Sequence, residues 1–88
     1  MKPTKEQYMT GSNKYESIYE ALKLYERGKA NAALARIRWS IPNMTMEQLK
    51  MTVTMNEMGG LMYGGRITPK GHEYYNSMIS GALEMANR

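Results

Sequence analysis

A chain of 88 residues suits one domain with a modest core and leaves no room for a second. It has no cysteine, which excludes disulfides and thiolate metal sites and leans toward a cytoplasmic setting, and no apolar run approaches membrane-spanning length. A net charge of +4 permits a polyanionic partner but is far from the clustered charge of a dedicated nucleic-acid tail.

Residues 1–12 are polar, include Pro3 and Gly11, and lack the apolar run of a signal peptide. They read as a flexible arm carrying Lys2 and Lys5, followed by a domain over 13–88. From Asn13 the pattern turns helical, with Tyr15, Ile18, Tyr19, Leu22 and Tyr25 recurring at three and four and Gly28 as the stop. The opposite face, with Glu16, Glu20, Lys23 and Glu26, reads as a solvated stripe. The tyrosines, with Tyr8 upstream, read as core and rim rather than as a base-stacking platform.

A second helix is expected over about 29–40. Ala30, Ala33, Leu34, Ile37 and Ile41 share one face, and Ala32, Ala35 and Trp39 share another. Small residues on two faces predict a helix held closely between neighbours, with Arg36 and Arg38 escaping at its edges. Trp39 is read as finishing the core, because large apolar residues are scarce; its other role is as an interface anchor.

Pro42 breaks this helix, and Thr45-Met46-Glu47-Gln48 has the form of a capping box opening a third that runs to Gly59. Projection at 100° per residue puts Met46, Leu49 and Val53 inside. Gln48, Met51, Met55 and Met58 then lie outside beside Glu47, unless a further layer encloses the methionines.

The segment from Gly59 to Tyr75 is the densest in local signals. Gly59-Gly60 closes the third helix, and Gly64-Gly65 separates LMY from RIT as a two-residue turn with positive φ at both positions. Tyr63 then faces Arg66, and Met62 faces Ile67. So short a hairpin must lean on helices. Thr68 caps a fourth helix that starts at Pro69. That helix puts Tyr75, Met78, Ile79, Ala82 and Ala86 on one side, flanked by Tyr74, Leu83 and Met85, with Glu73, Asn76, Ser77, Ser80 and Glu84 opposite. The fold expected is mostly α with a small β-hairpin, in the order α-α-α-β-β-α.

The succession of three helices, Gly60-Leu61, a short wing and Ile-Thr-x-x-Gly opening a long helix resembles a small winged helix-turn-helix. The phrase ITPKGHEYY is similar to the LTxxGxxY phrase after the wing in bacterial, archaeal and viral regulators. The resemblance covers Asn13 to about Leu83. It implies double-stranded DNA as partner, with the third helix toward the major groove, and a homodimer through the last helix using Met78, Ala82, Leu83 and Met85.

Two functions from different classes follow. In the first, a transcriptional regulator contacts the DNA backbone with Lys29, Arg36, Arg38, Lys50, Arg66 and Lys70 and bases with Thr45, Gln48 and Thr52. The third helix departs from such a reader, because it has no arginine for guanine, Glu47 repels phosphate, and Thr52 and Asn56 stand where large apolar residues are usual. In the second, the same scaffold is an inhibitor or adaptor, of phage or viral kind, that binds a protein through Met51, Met55 and Met58, with Trp39 and Tyr63 as anchors.

Catalysis is not expected, since one histidine and no aspartate or cysteine make no familiar catalytic set. His72 reads as a surface residue. No metal, cofactor or membrane partner is expected.

Overall fold

The computed structural model describes residues 14–86, with side chains as far as Gly81. The arm at 1–12, with Tyr8, lies outside the described residues, as do the side chains of Ala82, Leu83 and Met85. The elements are α1 (Lys14–Glu26), α2 (Ala30–Ile37), α3 (Met46–Met58), β1 (Met62–Tyr63), β2 (Arg66–Ile67) and α4 (Pro69–Ala86). This is the mostly helical α-α-α-β-β-α order of a winged helix-turn-helix.

The first helix is the spine, because it is buried on two sides. One cluster joins Tyr19 and Leu22 of α1 to Val53 of α3, Met62 and Ile67 of the hairpin and Tyr75 of α4. The other joins Ala21 to Ala33 and Ile37 of α2, Met44 of the link and Leu49 of α3. Ser17, fully buried on α1, keeps its hydroxyl satisfied by accepting from Arg36 Nη1 at 3.1 Å.

Local chemistry sets the ends of α3. Thr45 Oγ1 accepts from the Gln48 amide at 3.1 Å and Gln48 Oε1 accepts from the Thr45 amide at 3.0 Å, which completes the capping box. At the other end Gly60 adopts φ +77°. The hairpin has the expected register, Met62 opposite Ile67 and Tyr63 opposite Arg66, with φ of +57° at Gly64 and +81° at Gly65. Both turn positions need left-handed backbone, which glycine adopts without a Cβ clash. Met62 and Ile67 point into the core while Tyr63 and Arg66 point out.

Thr68 ties the start of α4 to the end of α3. Its Oγ1 accepts from the Gly71 amide at 3.0 Å and donates to the Gly60 carbonyl at 2.8 Å. Gly71 in the Ile-Thr-x-x-Gly phrase has a steric reason. A Cβ there would overlap the Leu61 carbonyl oxygen and press on Ile67, so only glycine lets the first turn of α4 come this close.

Expectations about α2, Trp39 and Glu26 need correction. The second helix spans eight residues rather than twelve, and Ala32 and Ala35 are exposed, so it is not held between neighbours on both faces. Trp39 is 48% exposed, not in the core. It lies beyond the end of α2, so the helical projection does not apply to it, and Ile37 and Met44 fill the interior there. Glu26 is no part of a solvated stripe. It is half-buried, and its Oε2 accepts from the Ile67 amide at 2.8 Å.

Candidate nucleic-acid interface

The outward face of α3 is open. Gln48 is exposed, and Met51, Met55 and Met58 are 61%, 64% and 83% exposed. Nothing among the described residues covers them, so the methionine row is a surface feature rather than a second core layer. Met51 borders a cleft of about 450 Å³ that reaches Ile41 and Met44. Met55 borders one of about 190 Å³ that reaches Leu61 and Tyr74. Met51 and Met55 thus each border a recess, one along the first half of the helix and one along the second.

The polar residues on this helix are largely engaged with its own backbone. Gln48 Oε1 is turned back onto the Thr45 amide, and Thr45 Oγ1 is the cap acceptor. Bidentate pairing with adenine needs both the amide oxygen and the amide nitrogen, so in this rotamer Gln48 has only its NH2 group for a base. Thr52 donates to the Gln48 carbonyl at 2.9 Å, and Thr54 donates to the Lys50 carbonyl at 3.1 Å. With Glu47, Lys50 and Glu57 as its only charged residues, α3 has a net charge of −1.

Of the six cations expected at the phosphate backbone, Lys29, Arg38, Lys50, Arg66 and Lys70 are exposed. They lie at the start and end of α2, on α3, on the wing and at the start of α4. Arg38 Nε donates to the Met44 carbonyl at 2.9 Å, which holds the guanidinium over the link between α2 and α3. Lys70 Nζ lies 3.5 Å from the Gly59 carbonyl. Arg36 differs from the rest. It is half-buried, bonded to Ser17 and stacked on Trp39 with 4.7 Å between guanidinium carbon and ring centre. Its place is structural, between α1 and α2.

Two carboxylates hold the wing. Glu57 Oε2, from the last turn of α3, accepts from the Gly65 amide at 3.0 Å, and Glu26, from the last turn of α1, holds Ile67 from the other side. The turn is thus oriented against α3 by a charge-assisted bond, and part of the negative charge of Glu57 is spent on the wing amide. Tyr63 is 83% exposed opposite Arg66.

Behind α3, Asn56 is 8% exposed on the inner face, as the third-helix pattern implied. Its Nδ2 donates to the Thr52 carbonyl at 2.7 Å and its Oδ1 accepts from Tyr75 Oη at 2.5 Å. The Tyr75 phenol is pushed up to about 12, chiefly by burial. Tyr75 stacks on Tyr19 with 5.4 Å between ring centres, and Tyr19 Oη lies 2.5 Å from His72 Nδ1. His72 is therefore half-buried and bonded to α1, not a plain surface residue. Sequence reasoning missed this polar chain. The one signal for it was an asparagine at an inward position, since a buried amide requires partners.

Among the described residues no group of three or more His, Cys, Asp or Glu is placed to hold a metal ion, and no helix is long and apolar enough to cross a membrane. Comparison with family models, curated proteins and solved structures found no match to this chain.

Proposed function

We propose that this domain is a DNA-binding regulator that acts mainly through the phosphate backbone, without catalysis. The observation that carries the reading is the open outward face of α3 with exposed Lys50 on the helix and Arg38 held over the link before it; exposed Arg66 adds a cation on the wing, whose turn Glu57 bonds to the helix. Base discrimination in this reading is modest. The Gln48 oxygen and the Thr45 and Thr52 hydroxyls are bonded locally, and the methionine methyl groups offer only apolar contact to thymine. The expected behaviour is salt-sensitive binding to many sequences with a weak A·T preference.

The test is fluorescence anisotropy with a mixed-sequence duplex at several salt concentrations, with light scattering for mass. Log affinity should fall linearly with log salt, by about 0.9 per phosphate neutralised. No binding at low salt overturns the reading. A mass of two chains supports pairing through α4, where Met78 and Ile79 are half-buried and Ser77 and Ser80 are exposed.

One observation favours a second reading, the methionine row itself. A stripe exposed to this degree and continuous with two apolar recesses also suits a protein partner, as in an inhibitor or adaptor. Binding in that case resists salt and is lost on Met51→Ser and Met55→Ser rather than on Arg66→Ala.

A further inference from the structure

A pocket of about 330 Å³ lies on the side of the molecule where the end of α1, the wing and the first turn of α4 meet. Its wall includes Glu26, Arg27, Arg66 and His72. Three features set it apart from an ordinary polar dent.

First, Arg27 and Arg66 are exposed and, among the described residues, neither guanidinium makes a hydrogen bond or an ion pair. They come from elements far apart in sequence, so their meeting is a product of the fold. Secondly, the one carboxylate present is already committed. Glu26 Oε2 accepts from the Ile67 amide at 2.8 Å, and two arginines against one glutamate leave the pocket a formal charge of +1. Thirdly, His72 is oriented by its contact with Tyr19 at Nδ1, which leaves Nε2 as the ring nitrogen for a ligand. The volume is at the lower end of the roughly 300–1,000 Å³ of small-molecule sites, ample for one tetrahedral oxyanion and its water.

We propose that Arg27, Arg66 and His72 form a binding site for a phosphate group. Paired guanidinium forks suit phosphate better than a monovalent ion, because each places two N–H donors on two oxygens at once. The group can arrive as a free phosphorylated small molecule or as a backbone phosphate of a nucleic acid. The site goes beyond DNA binding through α3, since neither Arg27 nor His72 takes part in that reading.

The experiment uses the full chain labelled with nitrogen-15. Inorganic phosphate is titrated against sodium chloride at matched ionic strength while backbone amides and the His72 ring are followed. The expected result is a saturable change confined to Arg27, Gly28, Arg66, Ile67 and His72. Arg27→Gln and Arg66→Gln should each weaken it about tenfold, and together abolish it. Thermal melting checks that the variants fold, and if the double variant does not, the two single variants carry the test. Changes that fail to saturate, that chloride reproduces, or that survive unaltered in both single variants overturn the proposal.

A second titration with a short duplex separates the sources. If DNA moves the same amides and phosphate competes with it, the site holds a backbone phosphate. If DNA leaves them unmoved while phosphate saturates them, the ligand is a free phosphorylated molecule. The phosphate titration reads out even where DNA does not bind, so failure of the regulator reading and failure of this site are told apart.

Discussion

The Tyr75 hydroxyl donates to Asn56 Oδ1 at 2.5 Å, inside the core between α4 and α3. Both residues are buried, at 4% and 8% exposure, so each group depends chiefly on the other for its partner. Tyr75→Phe should cost about 1–3 kcal/mol in urea unfolding, because it leaves the amide oxygen unsatisfied. Tyr75→Phe combined with Asn56→Leu should cost less than the sum of the two single changes, since an apolar pair strands no partner. Additive losses would show that the bond does not couple the helices.

The same phenol makes the fold sensitive to alkali. Its value in the folded state is about 12, raised by burial, against about 10 in the unfolded chain. Between these values the unfolded chain loses the proton while the folded one keeps it. The contribution is complete below pH 10 and is lost as pH rises toward 12, on the order of 2–3 kcal/mol in all. Unfolding followed by circular dichroism should show this decline, and Tyr75→Phe should remove its steepest part.

Gly71 is expected to tolerate no side chain. A Cβ there would overlap the Leu61 carbonyl oxygen, and backbone cannot rotate aside as a side chain does. Gly71→Ala should therefore cost more than the roughly 1–3 kcal/mol usual for overpacking. Gly81→Ala, in the same helix with open space around it, should raise stability by a few tenths to about 1 kcal/mol. Thermal melting of the two variants checks the contrast.

The two carboxylates on the wing differ in burial, and their removal should differ likewise. Glu26→Ala deletes a half-buried acceptor and should cost about 1.5–3 kcal/mol, with faster hydrogen exchange at Ile67. Glu57→Ala acts on an exposed bond and should cost less than about 1 kcal/mol, with faster exchange confined to Gly65. A stable domain with a loosened wing is then the tool for asking what the wing does in binding.

For DNA binding, Lys50→Ala and Arg66→Ala should each lower affinity for all duplexes and reduce the salt slope by about 1. Arg36→Ala should instead lower stability, because it strands the buried Ser17 hydroxyl and uncovers Trp39. Thr45→Ala should cost about 1 kcal/mol of stability through loss of the cap, whatever its effect on DNA. Anisotropy and urea unfolding on the same variants separate the two kinds of loss.

Much of the fold was legible in the sequence because its signals are local. The capping box at Thr45, the turn at Gly64-Gly65 with its register, the cap at Thr68 and the inward positions Leu49 and Val53 each depend on residues within one or two turns of each other. Periodicity failed at Trp39, where the helix had already ended, and at Glu26, whose partner lies 41 residues away. The exposure of the methionine row, the inward turn of Arg36 and the approach of Arg27 to Arg66 were decided only by tertiary structure. A helical pattern states which side chains share a face, but which faces meet depends on close packing between segments distant in the chain.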